Sequence, residues 1–293
     1  MKTTLLLLLC GLLFPQFSLA QIEPDWKSVE KRLVKEGFKR NFIKELKKTY
    51  EPEEFKNVLE LNVLLYLKKG DHHGVQVTDE ATDRVRSFME ENHDVLVKTE
   101  KSSGVPSSVI SSLLFIESRY GQNLGKFHVA SVFVHLIQAD RPSVVKYLRT
   151  KGTKRFSDNP SKKDLAKIPD RTKTKVKWAM GELKAIEKIY KEKGKIAFKI
   201  RGSFAGAFGM SQFLPSSYAR WAKSAAPGAP PDLNQAGDAI ASVGNYLKSN
   251  GWRKTRVKTH MKALLNYNNS RDYANAILNL AEKARSPKLA DSR

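Results

Sequence analysis

Residues 107–121 read SSVISSLLFIESRYG, and their spacing predicts the helix around which the rest of the chain is organised. Apolar side chains recur there at steps of three and four, and Glu117 falls on the same side of the helix. Pro106 suits a first helical turn, and Gly121 suits the position just beyond a helix end. The apolar members of this stripe are Ile110, Leu113 and Leu114. The pattern predicts a core helix that carries one carboxylate on its buried side.

A carboxylate on an apolar stripe has two readings. Burial without a charged partner disfavours the ionised form and raises the pKa, as a proton donor near neutral pH requires. Alternatively, Arg119 or another basic residue pairs with Glu117, and its role is structural. The stripe alone leaves both readings open.

The rest of the chain follows the same period, and alternation with period two is almost absent. This predicts a mainly α fold without internal repeats. The predicted helices are residues 53–69, 79–98, 129–138, 141–148, 172–193, 216–224, 235–250 and 273–285. Residues 151–175 are basic and polar and predict a surface insertion, and residues 225–232 predict a Pro-rich loop.

Two further stretches carry candidate binding residues. Residues 202–218 read GSFAGAFGMSQFLPSSY, where small residues let a ligand approach the backbone while Ser203 and Gln212 offer hydrogen-bonding groups. Residues 264–270, LLNYNNS, add an aromatic ring and amides at a helix end. These groups suit a neutral ligand rich in hydroxyls and amides, such as an amino sugar. Close helix packing and a helix cap are the structural alternatives.

Residues 1–20 are predicted to be a secretory signal peptide. Lys2 precedes the apolar run of residues 5–14, and Ser18 and Ala20 are small residues suited to a cut after position 20. A membrane-spanning helix needs roughly 20 apolar residues, so this run is too short for a retained anchor. We expect an exported protein, periplasmic or secreted.

Cys10 is the single cysteine, and it lies inside the predicted signal peptide. A lipoprotein anchor there is disfavoured because Leu9 before it is bulky and the apolar run continues after it. The mature chain would then hold no disulfide, thiol nucleophile or cysteine-bound zinc.

The formal net charge is +22, of which signal-peptide removal deletes only Lys2. Such a charge should attract polyanions. Because the chain is predicted to be exported, we expect anionic cell-wall polymers or membrane surfaces rather than nucleic acid as partners. A general solubility feature is the alternative.

Taken in order, three motifs resemble the lytic murein transglycosylases, and within them the family of membrane-bound lytic transglycosylase B. Residues 115–121 (FIESRYG) resemble the family's catalytic Glu motif, residues 203–218 resemble its Gly/Ala-Gln-Phe-Pro-Ser-Ser-Tyr motif, and Tyr267-Asn268 matches its Tyr-Asn motif. The helix at Asp238 also has a counterpart. The resemblance extends from about Trp26 to Arg285.

This resemblance implies a lysozyme-like helical core over residues 105–285, which includes the basic insertion, preceded by a helical region over 21–104 and followed by a tail over 286–293. The implied reaction is cleavage of the MurNAc-GlcNAc β-1,4 bond of peptidoglycan glycan strands by a monomeric enzyme. Glu117 would act as acid and then base, and the product would be 1,6-anhydro-MurNAc. The residues implied in substrate binding are Ser203, Gln212, Tyr267, Asn268, Tyr218 and Arg119.

Some members of that family carry a calcium loop before the helix at Asp238. Calcium takes about six to eight oxygen ligands, and residues 224–232 offer few besides Asp232, so we predict no metal and no cofactor. Two rival functions stay open. A lysozyme-type hydrolase would use Asp232 or Asp238 as a second carboxylate, and a non-catalytic wall-binding protein would use only the positive charge.

Overall fold

A computed structural model describes residues 22–68, 77–226 and 228–286 of the chain. The predicted signal peptide with Cys10 and nearly all of the predicted C-terminal tail lie outside the described residues. Within the described part, no helix is both long and apolar enough to cross a membrane.

The described residues form thirteen α-helices and two very short strands, which confirms the mainly α prediction. The elements are α1 (Trp26–Lys35), α2 (Arg40–Thr49), α3 (Phe55–Leu64), α4 (Asp79–Glu91), α5 (His93–Ser103), α6 (Ser107–Ser118), β1 (Phe127–His128), α7 (Val129–Leu136), α8 (Pro142–Thr150), α9 (Lys162–Lys193), β2 (Arg201–Gly202), α10 (Pro215–Trp221), α11 (Ala236–Ser249), α12 (Val257–Tyr267) and α13 (Arg271–Arg285). The strands are antiparallel, with Phe127 opposite Gly202. Single 3-10 turns occupy Leu65–Leu67, Gly152–Arg155 and Gly194–Phe198.

Helix α6 is the centre of the fold. Every residue from Ser108 to Phe115 is buried, because α4, α5, α11 and α13 pack around this helix. It ends at Ser118, two residues before the predicted end, since Arg119 and Tyr120 turn the backbone into the left-handed region. Glu117 therefore lies in the last turn of a rigid central helix.

The predicted helix over residues 79–98 is wrong in one respect, because it is two helices. Asn92, whose φ is -115° and ψ 23°, separates α4 from α5. This break lets α4 pack on α6 and α13 while α5 packs on α11.

Helix α9 begins at Lys162, ten residues before the predicted start at Thr172. The side chain of Ser161 caps it by accepting a hydrogen bond from the Asp164 amide, at 3.1 Å. Ile168 and Thr172 are fully buried, so the second half of the predicted insertion is a helix packed on the core rather than an irregular surface segment. Pro169 lies inside this helix.

One continuous hydrophobic core runs from Ile22 to Ala281. Helix α3 packs on α7 and α9, and α5 packs on α6 and α11, so the N-terminal helices share this core with the later ones. The division at residue 105 stays a prediction.

Candidate active site

Glu117 lies in the last turn of α6 and is partly exposed. The hydroxyl of Tyr273, in the first turn of α13, donates a hydrogen bond to the Glu117 carboxylate. Burial raises the pKa of Glu117 to about 7, and the Tyr273 hydrogen bond opposes this rise. The group is therefore balanced between its acid and base forms near neutral pH.

Within the described part of the chain, no Lys or Arg forms an ion pair with Glu117, and no second carboxylate contributes to its raised pKa. Arg119, the candidate partner, is exposed and follows the helix in a left-handed conformation with φ 49°. The alternative that Glu117 pairs with a basic residue is therefore wrong, and the hydrogen-bond partner of Glu117 is Tyr273.

The loop over residues 202–213 is fastened to the end of α6. The Ser118 hydroxyl donates to the Met210 carbonyl at 2.8 Å and accepts from the Gly121 amide at 2.9 Å. Gln212 donates its side-chain amide to the carbonyl of Gly209 at 2.9 Å. These bonds bring the second predicted motif directly beside Glu117.

The small residues of this loop are needed for close backbone approach. A Cβ at Gly202 would lie 2.1 Å from the Ala207 carbonyl oxygen, and one at Gly125 would lie 2.2 Å from the Gly202 oxygen. The resulting tight turn holds Ser203, whose hydroxyl accepts the Ala207 amide at 3.2 Å and whose side chain is partly exposed.

Backbone strain concentrates at the same place. In the part of the chain that the structure describes, the non-glycine residues with positive φ are Arg119 at 49°, Tyr120 at 59° and Gln212 at 47°. Each such residue costs on the order of 1–3 kcal/mol, and such residues cluster at functional sites. All three lie in the two segments that border Glu117.

Aromatic side chains form one wall of the site. The Tyr267 hydroxyl donates to the Ser211 carbonyl at 2.5 Å, and its ring packs on Tyr246 with centroids 4.7 Å apart. Tyr246 in turn packs on Trp221 at 4.6 Å. Burial, and next the nearby Glu117 carboxylate, raise the pKa of Tyr267, so this wall adjoins the acid.

The remaining predicted residues lie at different places. Asn268 ends α12 directly after Tyr267 and is half-buried. Tyr218 is not brought to Glu117: its buried hydroxyl donates to the Pro231 carbonyl at 2.7 Å, and its ring packs on Phe208. It borders a cavity of about 670 Å³ whose lining does not include Glu117.

Sequence reasoning missed Tyr273 and Tyr246. Tyr273 shares the buried stripe of α13 with Ile277 and Leu280, so it is a hydroxyl on an apolar face. The same signal singled out Glu117 and could have identified Tyr273.

The side chain of Asp238 joins the two ends of the loop before α11. Asp238 accepts hydrogen bonds from the amides of Ala225 at 2.7 Å and Asp232 at 2.6 Å. Among residues 22–68, 77–226 and 228–286, no group of three or more His, Cys, Asp or Glu side chains is placed to hold a metal ion.

Comparison with known proteins agrees with this geometry. The family profile described as "Transglycosylase SLT domain" matches residues 21–261. Membrane-bound lytic murein transglycosylase B of Escherichia coli is 26% identical over 167 residues, 57% of this chain but only 37% of that relative's length.

Solved structures show the same fold. The lytic transglycosylase Slt35 of Escherichia coli, in complex with calcium, superposes with a TM-score of 0.66 and 19% identity, covering 89% of this chain and 93% of that one. SltB3 of Pseudomonas aeruginosa, in complex with NAG-anhNAM-pentapeptide, gives a TM-score of 0.63 and 17% identity, covering 89% and 78%. These likenesses confirm the lysozyme-like helical fold. Because the family profile matches most of the sequence, the chain belongs to the Transglycosylase SLT domain family.

Proposed function

We propose that this protein is a lytic transglycosylase that cleaves the MurNAc-GlcNAc β-1,4 bond of peptidoglycan, with Glu117 as the acid and then the base. The observation that carries the proposal is a partly exposed carboxyl group with a pKa near 7 and one tyrosine as its partner. Membership in the Transglycosylase SLT domain family supports the reaction class.

In the first step, protonated Glu117 donates its proton to the glycosidic oxygen, and the bond from that oxygen to the MurNAc C1 breaks. Tyr273 occupies one side of the carboxyl group, which leaves its other oxygen for the substrate. The oxygen of the substrate's own N-acetyl group stabilises the positive charge that develops at C1. An enzyme with a general acid of this kind gains about 10²–10⁴-fold in rate.

In the second step, the Glu117 carboxylate removes the proton from the C6 hydroxyl of the same MurNAc. The C6 oxygen bonds to C1 and closes the 1,6-anhydro ring. No water is consumed, and Glu117 regains the proton that it gave away. A pKa near 7 serves both steps, because the group must hold and release a proton at similar pH.

The neighbouring residues would position the sugar. The partly exposed Ser203 and Gln212 lie on the loop fastened beside Glu117, and we assign them to hydrogen bonds with the MurNAc hydroxyl and N-acetyl groups. Tyr267 supplies an aromatic face and Asn268 an amide at the same wall. Tyr273 would orient the carboxyl group. The position of Tyr218 favours a structural role for that residue.

The rival hydrolase mechanism needs a second carboxylate on the other side of the scissile bond, where it would activate a water molecule or attack the sugar. Both oxygens of Asp238 accept backbone amides of its own loop, and Asp232 accepts hydrogen bonds from Asn234 at 3.0 and 3.1 Å. Neither acid perturbs the pKa of Glu117. These contacts favour the single-carboxylate mechanism.

Digestion of purified peptidoglycan in ¹⁸O-labelled water tests the proposal. We expect muropeptides with anhydro ends, lighter by one water than hydrolysis products, and no ¹⁸O in them. Reducing ends that carry ¹⁸O would overturn the transglycosylase mechanism in favour of hydrolysis.

We also propose that residues 1–20 direct export and are removed after Ala20. N-terminal sequencing of the exported protein should begin at Gln21. A mature protein that retains Cys10 would contradict this part of the proposal.

A further inference from the structure

A second, smaller cavity of about 290 Å³ lies between α5, the segment after α10, and α11. Three lysines from these three elements line it: Lys98, Lys223 and Lys248. Its polar lining also includes the amide of Asn245 and the hydroxyl of Ser102, and no Asp or Glu is part of the lining. A cavity with three cations and no acid is suited to an anion.

The three lysines are exposed, and none of them lies within 4 Å of a carboxylate in the described part of the chain. The Lys248 ammonium donates to the Ser102 carbonyl at 2.7 Å, which ties it to α5 and leaves donors for a ligand. The positive charge of this cavity is therefore not neutralised by the protein.

Asp238 takes part in the hydrogen-bond network of the lining through Ser224 and Ala225. Its carboxylate accepts the Ser224 hydroxyl at 3.2 Å as well as the amides of Ala225 and Asp232. These bonds hold the loop before α11 and commit the carboxylate to that loop. Asp238 thus holds Ser224 and Ala225, which line the cavity, without pairing with its lysines.

The lining offers three separate ammonium groups and no arginine, so an anion is held by point charges rather than by a bidentate guanidinium pair. A phosphate group presents three strong acceptor oxygens to three ammonium groups, one more than a carboxylate. The cavity volume is near the low end of about 300–1,000 Å³ for small-molecule sites, which leaves room for a short polyol beside the anion. We propose that this cavity binds a phosphate group carried on a small polyol or sugar.

The cavity lies close to the aromatic wall but does not share its chemistry. Asn245, which borders the cavity, donates its side-chain amide to the Trp221 carbonyl at 2.8 Å, and Trp221 packs on Tyr246. A polyol-phosphate polymer held here would keep the enzyme on the wall and raise the effective concentration of glycan at Glu117. Phosphate binding itself does not depend on the proposed cleavage reaction.

Calorimetric titration of the full mature chain with glycerol 3-phosphate and with inorganic phosphate tests this inference. The variant K98Q/K223Q/K248Q is compared with K162Q/K177Q/K191Q, which removes three exposed, unpaired lysines along α9 and changes the net charge equally. We expect saturable 1:1 binding of glycerol 3-phosphate, at least tenfold weaker in the cavity variant and within twofold of wild type in the control.

Equal losses in the two variants, or no saturable binding to wild type, would overturn the proposal. Inorganic phosphate that binds as tightly as glycerol 3-phosphate would overturn its polyol part. Thermal unfolding confirms that each variant is folded. Cleavage of glycan strands that lack phosphate should be unchanged in the cavity variant. A failure of the proposed cleavage mechanism is therefore distinguishable from a failure of the proposed phosphate binding.

Discussion

Two regions of this protein bury titratable side chains, and they use burial differently. At the end of α6, burial raises the pKa of Glu117 to about 7. In β1 and α7, burial lowers the pKa of His128, and it lowers the pKa of His135 to about 3. Each shift favours the uncharged form, as expected when desolvation dominates.

The hydrogen bonds of the two regions differ. His128 lies between the Ser131 hydroxyl and the Phe198 carbonyl, both at 2.7 Å, and Ser131 also accepts the Glu51 amide at 2.9 Å. Each side-chain nitrogen and oxygen of Ser131 and His128 has a protein partner, although the pair resembles a nucleophile and its base. Glu117 has one partner and partial exposure. A shifted pKa therefore indicates a catalytic site only where the titrating group keeps an atom that is exposed and has no protein hydrogen-bond partner.

The largest effect is expected for Glu117→Gln, which keeps the shape of the side chain and removes the ionisable carboxyl group. We expect cleavage of purified peptidoglycan to fall about 10³-fold, at the scale of a general acid, while the thermal midpoint does not fall. Activity assays with co-sedimentation on insoluble wall provide the measurement. Cleavage within tenfold of wild type would show that Glu117 has a structural role, as His128 and His135 do.

Tyr273→Phe removes the hydroxyl that donates a hydrogen bond to Glu117, and so tests how that bond sets the pKa of the carboxyl group. The hydroxyl lowers the pKa of Glu117, so its loss should raise that pKa and move the corresponding limb of the pH-rate profile to higher pH. We expect about a tenfold loss in kcat, as positioning is lost.

The matched control is Tyr246→Phe, whose hydroxyl donates to the Asn266 carbonyl at 2.7 Å and not to Glu117. It should leave the pH limb in place. An equal shift in both variants would contradict the role given to Tyr273.

The two regions should also affect stability with opposite signs as pH changes. The pKa of folded His135 lies below its unfolded value near 6.5, so stability is lost as pH falls below 6.5, by about 2 kcal/mol at pH 5. The pKa of Glu117 lies above its unfolded value, so its contribution is present below 4.5 and is lost as pH rises through 7.

Urea unfolding between pH 5 and 8 measures both slopes. Between pH 5 and 6.5 the two contributions oppose each other, so His135→Gln should make stability fall more steeply as pH rises, and Glu117→Gln should make it rise more steeply. A change of slope with the opposite sign in either variant would contradict the assignment of that slope. Slopes are compared because a buried substitution also changes absolute stability.

The smallest effect is expected for Asp232→Asn. Asp232 is exposed and accepts hydrogen bonds from Asn234, so a protein with one catalytic carboxylate should retain activity within twofold. A loss of activity comparable to that of Glu117→Gln would favour the hydrolase mechanism with two carboxylates. The kinetic assay on purified wall decides between them.

Local pattern was enough to predict the central helix and the position of Glu117 on its buried side. The three- and four-residue steps of α6 fix that face, whatever packs against it. The small residues of the loop also predicted a tight turn next to a ligand site. These features depend on a few neighbouring residues, so a single sequence contains them.

The partner of Glu117 could not be predicted this way. Tyr273 is 156 residues away along the chain, and only the packing of α13 on α6 brings the two side chains together. Tyr218 lies in a motif, but the sequence did not predict that its hydroxyl donates to the Pro231 carbonyl. The early start of α9 was hidden because Pro169 and the lysines around it suggested a loop.

The central claim is that burial and a single tyrosine keep the carboxyl group of Glu117 near its midpoint at neutral pH. Titration of the ¹³C-labelled glutamate side-chain carboxyl signals by NMR measures this directly, with Glu117→Gln identifying the signal. We predict a midpoint of about 7 for Glu117. A midpoint below about 5, near the ordinary value for glutamate, would contradict the account.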